Sequence, residues 1–548
     1  MEVAGDELQT EVMDHHGIVA AVCEDLGIAN KINQRMGRQD PRRIVTTGTA
    51  AVALILNGLG FTNRRLYLTP QFFASKPVQR LLGVQVSAKH LDDHALGKAL
   101  DEIASYGSSR LFGEIAFEIA LENHLVGGLS HLDSTSLSVE GQYDVEDAAE
   151  AVELSYGHSK DQRPDLKQVI MNLVVNGPAS IPLWMEPHDG NSSDKKTFHE
   201  TIKRVQAFKE GLKGCPDFKW VADSALYSKD KLLKQTDYLW LSRVPETINE
   251  ARSLVEQCDM DIPWKSCGES YKVACYLSTY GEVTQRWLLV YSEANYQREK
   301  KTFERKLAKQ DEALEKALWH LGNDKFQCEE DAKKAAAKLI KQYPYHDVTV
   351  TIEPIKKHAQ AGRPRKGVEA STFAYEVKTT FTRHLKAIKT FLNRKGRFIL
   401  ATNDMDERSF PNEKILKEYK KQQNVERGFR FLKDPWFMVD SIFLKSPRRI
   451  EALMMVMTLC LLVYNVAQYR LRENLKENKD MLPNQINKPI QNPTLRWIFQ
   501  IMEGIGIVNF YQQNIRDPIR QLITNLTDLR KKIITLFGPS AKRIYGIP

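Results

Sequence analysis

Three carboxylates in this chain stand where they could perform metal-dependent chemistry. Asp133 lies inside HLDSTSLSVEG, whose alternation is typical of a β-strand. Asp223 directly follows the apolar segment FKWVA, and Glu426 lies in LKEYKKQQNVERGFRFLKD, residues 416–434. An aspartate inside a strand is unfavourable unless its charge is compensated, and a metal ion would compensate it. The alternative for Asp133 is an edge strand with hydrogen bonds to nearby hydroxyl groups.

The segment around Glu426 has the composition and spacing of a helix. At about 100° per residue, one face within roughly 60° carries a phenol, an amide, an acid and a base: Tyr419, Gln422, Glu426 and Lys433. An apolar face beside it predicts packing on a core, which would hold Glu426 rigid. An ordinary amphipathic surface helix is the alternative.

The segments between the two aspartates predict an α/β core. Residues 167–187 read as two apolar strands joined at Asn176–Gly177, a dipeptide that favours a hairpin. A helix follows from about residue 194, and GNSSD before it offers Ser192, Ser193 and Asp194 as caps with a structural role. The order strand, strand, strand, helix, strand is that of an RNase H-like fold. It would place Asp133 and Asp223 on neighbouring strands.

The Y-x2-Q-x3-E-x6-K spacing of residues 419–433 is similar to the Y-x2-R-x3-E-x6-K signature of DDE transposases from bacterial insertion sequences. Gln422 departs from the family's arginine, which weakens that one contact without affecting the acid. The resemblance implies that Asp133, Asp223 and Glu426 are the catalytic triad and the metal ligands.

The resemblance also implies DNA contacts. Tyr419 and Gln422 would orient the DNA end, and Lys433 would hold the phosphate backbone at the cut. GHSKDQRPDLKQ, residues 157–168, resembles a segment that follows the first catalytic strand in one insertion-sequence branch. Its basic side chains that could approach the backbone are Lys160, Arg163 and Lys167; a solvated loop is the alternative.

An all-oxygen site of this kind suits Mg²⁺, with Mn²⁺ as a possible substitute. Two ions about 3.5–4 Å apart can activate the attacking oxygen and stabilise the leaving one in phosphodiester displacement. This chemistry requires no cysteine. The 7 cysteines contain no C-x2-C pair, which fits reduced thiols.

The length of 548 residues and 42% hydrophobic content predict several cores. Asp223 and Glu426 are 426 − 223 = 203 positions apart, so we expect an insertion like the β-rich one that splits the catalytic domain of related transposases. The predicted domains are a helical DNA-binding domain (1–128), a split RNase H-like core (129–247 and 406–475), a β-rich and helical insertion (248–405) and a helical C-terminal region (476–548). Residues 446–474 predict a buried helix that supports the catalytic one.

A formal net charge of +9 suits a polyanion partner. The N-terminal arginines that could contact phosphates are Arg35, Arg38, Arg42, Arg43, Arg64, Arg65 and Arg80. The alternative to DNA recognition by this region is a small helical domain with a solvated basic face. The acidic start is unlike a signal peptide, and the longest apolar run, 453–467, is shorter than the ~20 residues of a membrane span. We therefore expect a cytoplasmic protein without a membrane partner.

The resemblance implies a transposase that binds the terminal inverted repeats of its own element, hydrolyses the DNA at each end and transfers the 3′ ends to target DNA. Joining two ends predicts a homodimer on double-stranded DNA. Two alternatives are a nuclease of the same fold that does not transpose and a catalytically silent DNA-binding protein derived from a transposase.

Overall fold

The computed structural model describes the chain except residues 1–6, 38–39, 62–67, 84, 141–150, 234–236, 358–370, 435–443, 445 and 513–517. The described residues form two compact units. One comprises residues 1–242 and 417–548, and the other comprises residues 243–416. All the residues predicted for the active site belong to the first unit.

The first unit begins with a helical layer. Its elements are β1 (Glu7–Val12), α1 (His16–Asp25), α2 (Ile28–Arg35), α3 (Thr47–Gly58), α4 (Thr69–Phe73), α5 (Val78–Leu82), α6 (Asp93–Tyr106) and α7 (Ser108–Glu122). The side chain of Thr46 caps α3 by accepting a hydrogen bond from the Thr49 backbone N–H, and Asp92 caps α6 in the same way. Helix α3 is apolar on all sides and almost wholly buried.

A mixed sheet follows the helical layer. Its elements are β2 (Leu129–Val139), β3 (Lys167–Asn176), β4 (Ile181–His188), α8 (Asp194–Glu210), β5 (Lys219–Ala222), α9 (Lys229–Leu232) and β6 (Trp240–Arg243). The strand order is β4-β3-β2-β5-β6. The first three strands are antiparallel, whereas β2, β5 and β6 are parallel. Gly177, with φ of 74°, opens the β3–β4 turn, so the predicted hairpin and element order are confirmed.

The second unit is built of antiparallel strands and helices. Its elements are α10 (Asn249–Glu256), β7 (Lys265–Ser266), β8 (Tyr271–Ser278), β9 (Gln285–Ser292), α11 (Glu293–Asn323), α12 (Glu329–Ile340), β10 (His346–Lys357), β11 (Ser371–Arg383), α13 (Leu385–Asn393) and β12 (Arg397–Thr402). Strands β12, β9, β8 and β7 pair in that order, and β10 and β11 form a separate ribbon. Leu321, Ala332, Ala336 and Val377 form a small core between this ribbon and its helices.

The remaining elements return the chain to the first unit. They are α14 (Asn412–Lys420), α15 (Gln423–Leu432), α16 (Pro447–Glu477), β13 (Leu482–Pro483), β14 (Pro489–Ile490), α17 (Leu495–Ile501), β15 (Gly506–Tyr511), β16 (Arg520–Thr524), α18 (Asp528–Leu536) and α19 (Pro539–Ile544). Helix α16 packs against α3, α6, α7, α15 and β4, so the predicted buried helix that supports the catalytic helix is confirmed.

The prediction of one continuous helix over residues 416–434 is wrong. Helix α14 ends at Lys420 and α15 begins at Gln423, so Tyr419 and Glu426 lie on different helices and share no helical face. The Gln422 side chain hydrogen-bonds to strand β2, and these tertiary contacts hold the break against the local helix preference.

The predicted helical C-terminal region contains helices α17, α18 and α19, but the prediction missed its strands. Strand β15 pairs antiparallel with β1 on one side and with β16 on the other. The reason is the alternation in GIVNFY, whose Ile507 and Asn509 are buried while their neighbours are partly exposed. The ends of the chain therefore meet in one small sheet.

Among the described residues, α16 is the one helix whose length and composition would suffice to cross a membrane. Of its most apolar window, 83% is buried inside the protein. This degree of burial is typical of a helix in the core of a protein.

Candidate active site

The two aspartates lie side by side on parallel strands. Strands β2 and β5 pair with Leu132 opposite Ala222; Asp133 is the next residue of β2, and Asp223 directly follows the end of β5. Adjacent strands are about 4.8 Å apart, and residues opposite one another point to the same face. The predicted neighbourhood of the two acids is therefore present.

Both carboxylates are costly to charge. The pKa of Asp133 is raised from 3.8 to about 7, mainly by burial and also by the negative charges of Asp223 and Asp194. Burial also raises the pKa of Asp223, again with a contribution from Asp194. Each Oδ1 accepts one backbone hydrogen bond, from Ser134 at 2.8 Å and from Ala225 at 2.9 Å. A bound cation would relieve this accumulation of negative charge.

The helix that carries Glu426 covers the same face of the sheet. His131 lies two residues before Asp133, so both side chains point to one face of β2. The Nδ1 atom of His131 is 3.1 Å from Oε1 of Gln422, which immediately precedes α15. Four helical residues and two strand residues both advance about 6 Å. If α15 runs in the direction of β2, Glu426 therefore comes level with Asp133.

A contact further along α15 gives this direction. Leu173 of β3 is paired with Asp133, and a Cβ atom at Gly428 would lie 3.8 Å from Leu173 Cδ2. Gln422, just before the helix, thus contacts β2 at His131. Gly428 lies near Leu173, which is paired with Asp133, two residues further along β2. Helix α15 therefore runs along β2 in the same sense, which brings Glu426 level with Asp133 along the strand direction.

Glu426 is not yet part of a closed ligand set. Its side chain is exposed, and within the described part of the chain it makes no hydrogen bond or ion pair. No three His, Cys, Asp or Glu side chains among the described residues stand close enough to hold one metal ion. The structure brings Asp133 and Asp223 together and leaves Glu426 on the covering helix.

Two further charged residues border the aspartates. Lys160 Nζ donates to the backbone oxygen of Ser134 at 2.8 Å, to its hydroxyl oxygen at 2.6 Å and to Asp194 Oδ2 at 3.1 Å. The Ser134 hydroxyl also donates to Asp194. The charges of Lys160 and Asp194 act on the pKa values of both Asp133 and Asp223, in opposite directions. This role of Asp194 is not predictable from its local sequence, which indicates only a helix start.

Two glycines fix the loops that carry Lys160 and Asp194. The Gln168 side chain at the start of β3 donates to the Gly190 oxygen at 2.7 Å. A Cβ atom at Gly157 would overlap the Gly190 oxygen, and one at Gly190 would overlap the Gln168 oxygen. The sequence signal for this close approach is a glycine at the start of each segment, Gly157 in GHSK and Gly190 in GNSSD.

Lys433, the predicted phosphate contact, is paired within the protein. Its Nζ atom lies 2.7 and 2.6 Å from the two carboxylate oxygens of Asp161. Burial lowers the pKa of Lys433, and Asp161 partly offsets that effect. A DNA phosphate at Lys433 would have to replace the Asp161 carboxylate.

The other predicted DNA contacts differ in their accessibility. Gln422 is buried, and both its polar atoms already bond to β2, its Nε2 to the Leu132 oxygen at 2.9 Å. Arg163 is exposed and pairs with Asp165 at 2.8 Å. Lys167 is the half-buried first residue of β3, where the sequence predicts the start of a strand, and its predicted contact with DNA stays a prediction. Tyr419 is half-buried in the last turn of α14.

The N-terminal arginines have internal partners. Arg35 pairs with two glutamates of α7, and Arg43 pairs with one glutamate of α6. Arg42 pairs with a nearby aspartate, and Arg80 donates to a C-terminal carbonyl. Three others lie outside the described residues: Arg38, Arg64 and Arg65. Arg35 and Arg43 mainly stabilise the helical layer.

The oxygen chemistry of the three acids suits a divalent metal ion, although the described structure brings only Asp133 and Asp223 together. Asp133, Asp223 and Glu426 offer only oxygen ligands, which hard cations prefer. In each aspartate the backbone hydrogen bond uses Oδ1, so Oδ2 remains for a ligand. The raised pKa values show that the pair has a charge cost that a cation would offset.

The fold and the site define a transposase of the DDE class. Residues 128–463 match the family model described as a transposase DDE domain, which is more than half of the chain, so the chain belongs to this family. The predicted resemblance is confirmed at the family level, and DDE transposases generally use divalent metals.

Other comparisons are more distant. Residues 8–117 match a domain of unknown function (DUF4277). A cryo-EM structure of the piggyBac transposase synaptic complex with hairpin DNA is similar at 9% identity and a TM-score of 0.37, over 88% of this chain and 80% of that chain. No curated protein matches the sequence.

Proposed function

We propose that this protein is the transposase of a bacterial insertion sequence, with an RNase H-like catalytic core. It binds the terminal inverted repeats of its element, hydrolyses the phosphodiester bond at each end and transfers the 3′ ends to target DNA. The observation that carries the proposal is the pair of half-buried aspartates, Asp133 and Asp223, on the face of the sheet that α15 covers.

Asp133, Asp223 and Glu426 would hold Mg²⁺, or Mn²⁺ in its place, with two ions expected. When bound, such ions activate the attacking oxygen and stabilise the leaving oxygen. The sheet holds the two aspartates in fixed positions, and the exposed Glu426 carboxylate reaches the site from the covering helix.

The bases around the acids have separate tasks. Lys160 offsets part of the negative charge of Asp133 and Asp223, and Asp194 and Ser134 position its ammonium group. Lys433 binds a DNA phosphate once it leaves Asp161, and the exposed Arg163 contacts the backbone beside it. Tyr419 lies close enough in sequence to assist at the DNA end, whereas Gln422 attaches the helices to the sheet.

The working form is a homodimer on double-stranded DNA, because two element ends must be joined to one target. The helical layer within residues 1–128 recognises the ends, and the protein acts in the bacterial cytoplasm. The net charge of +9 supports a polyanion partner.

The test is cleavage of a labelled duplex that carries the DNA flanking the gene. Wild type, Asp133→Asn and Glu426→Gln are compared in Mg²⁺ and in Ca²⁺. We expect nicks at a fixed end position in Mg²⁺ with wild type, and none with either variant although both still bind the duplex.

Two outcomes would contradict the proposal. Tight binding without a cut in Mg²⁺ or Mn²⁺ would leave a catalytically silent DNA-binding protein. Cutting that ignores the end sequence would indicate a nuclease that does not transpose.

A further inference from the structure

A polar cleft of about 620 Å³ lies beside the catalytic helix, between α15, α16 and the β3–β4 turn. We refer to it as the α15–α16 cleft. Its volume falls within the range of about 300–1,000 Å³ that is usual for sites of small ligands. The lining residues that matter here are Arg427, Phe431, Tyr464, Tyr469, Arg472 and Lys476.

The cleft holds two arginines that form no ion pair with any acid in the part of the chain that the structure describes. Within the described residues, Arg427 makes no hydrogen bond or ion pair. The Arg472 Nε atom donates to the Pro493 oxygen at 2.9 Å, and no described acid forms an ion pair with its guanidinium group. Burial and the charge of Arg427 both lower the pKa of Arg472, so the two cations act on one another. Two cations held in one cleft without an acid between them favour an anion.

These arginines differ from those of the N-terminal layer. Arg35 and Arg43 form ion pairs with glutamates, so their positive charge is already neutralised within the protein. The nearest acid of the cleft wall, Glu473, pairs with Lys476 at 2.6 Å. The positive charge of Arg427 and Arg472 therefore remains available to a ligand.

Aromatic rings line the cleft beside these charges. The ring centroids of Phe431 and Tyr464 are 4.7 Å apart at an interplanar angle of 45°. The turn opposite is held in place: Asn465 donates to the Ser180 oxygen at 2.7 Å and Asn424 to its hydroxyl oxygen at 2.9 Å. Cations for a phosphate and rings for a base are the two features with which proteins bind single-stranded nucleic acid.

We propose that the α15–α16 cleft binds an unpaired nucleotide of the DNA strand that leaves the catalytic site. This inference rests on the proposed function, because it takes the polyanion to be DNA at Glu426. Arg427 directly follows Glu426 on α15, and its side chain points about 100° away around the helix. Arg427 and Glu426 therefore belong to the same turn of α15, with the cleft and the aspartates on different sides of the helix.

The test measures the binding of a labelled oligothymidylate of about ten nucleotides and of a blunt duplex, without divalent metal and over a range of salt. Arg427→Ala and Arg472→Ala are compared with wild type. Arg448→Ala is the matched control, because it removes an exposed arginine from α16, 24 residues or about 36 Å before Arg472.

We expect each cleft variant to bind the oligothymidylate about five- to tenfold more weakly, with a salt slope reduced by about 0.7. Binding of the blunt duplex should stay within about twofold of wild type, and Arg448→Ala should match wild type with both probes. Arg427→Ala removes no hydrogen bond or ion pair with any described residue, so the test remains decisive even if Arg472→Ala lowers stability.

Wild-type affinity of both cleft variants for the oligothymidylate would overturn the inference. Equal losses with single strand and duplex would also overturn it, since the arginines would then be general phosphate contacts. The cleavage assay with Asp133→Asn judges the proposed function independently, because the binding assay uses no metal and no element end.

Discussion

The two halves of the candidate site are held in different ways. On the sheet, Asp133 and Asp223 are largely buried, adjacent in register and fixed by backbone hydrogen bonds. On the helix, Glu426 is exposed and has no partner among the described residues. The sheet half is thus held in place at a cost in charge repulsion, whereas the side chain of the helix half is not fixed by any hydrogen bond or ion pair with the described residues.

One residue joins the halves. Gln422 bonds to His131 and to the Leu132 oxygen, and Glu426 follows it by one helical turn. The position where the related signature has an arginine for DNA is thus used here to attach the helix to the sheet. This difference predicts that the two halves respond differently to substitution.

The largest effect is expected at Asp223. Asp223→Asn should reduce Mg²⁺-dependent cleavage on the order of 10³-fold, or about 4 kcal/mol of activation free energy, because a fixed metal ligand is lost. The melting temperature should not fall, since an unfavourable buried charge is removed. Asp230→Asn is the control, an exposed acid on α9 that should cleave normally. Cleavage by Asp223→Asn within tenfold of wild type would contradict the assignment.

A second prediction concerns pH and Asp133 in the metal-free protein. The folded pKa of about 7 is above the ordinary 3.8, so this group stabilises the fold most at low pH and its contribution is lost as pH rises through 7. Asp133→Asn should therefore gain up to about 4 kcal/mol in free energy of unfolding relative to wild type between pH 4 and 8. Urea unfolding in EDTA measures this difference.

Comparison with wild type is essential because other groups titrate in this range. Burial lowers the pKa of His15 to about 4, so that residue adds stability as pH rises from 4 to 6.5. Both proteins share this opposite trend, and subtraction removes it. Glu426→Gln should change the unfolding free energy by less than about 0.5 kcal/mol, as expected for an exposed side chain without partners. A constant difference between Asp133→Asn and wild type over this pH range would refute the prediction.

A smaller effect is expected from breaking the junction of the halves. Gln422→Ala removes two buried hydrogen bonds and should lower the free energy of unfolding by about 1–3 kcal/mol. Gln423→Ala, the exposed next residue, should change it by less than about 0.5 kcal/mol. If both variants unfold alike, Gln422 does not join helix to sheet.

The sequence predicted the sheet half better than the helix half, for a physical reason. The alternation around Asp133 and the turn at Asn176–Gly177 are local signals, and together they fix strand order and neighbourhood. The break before α15 depends on Gln422 meeting His131, which is 291 positions away in the chain. A local sequence pattern cannot reveal a contact between residues so far apart in the chain. The spacing of residues 416–434 therefore predicts one continuous helix.

Asp194 was missed for the same reason. Its local pattern is that of a helix start, and its role in the site arises only because Gly157 and Gly190 bring two loops together at Gln168. The pairing of Lys433 with Asp161 is likewise a contact between distant segments. The sequence therefore indicates which residues could act in the site, but it does not indicate which other side chains the charged residues contact.

The smallest effect is expected at the partly exposed ion pair between Asp161 and Lys433. The Asp161 carboxylate and Lys433 ammonium are partly exposed, with 39% and 22% of their side-chain surfaces accessible. Asp161→Asn should therefore cost less than about 1 kcal/mol in stability. It should raise affinity for a blunt duplex by up to about fivefold, because a phosphate no longer competes with a carboxylate.

A double-mutant cycle separates this competition from a general change of charge. Duplex affinity is measured for Asp161→Asn, Lys433→Ala and the double variant. If Asp161 acts by occupying Lys433, its substitution has no effect once Lys433 is absent. An equal gain in both backgrounds would mean that Asp161 repels DNA only through its charge, and that Lys433 is a structural cation at the end of α15 rather than a phosphate contact.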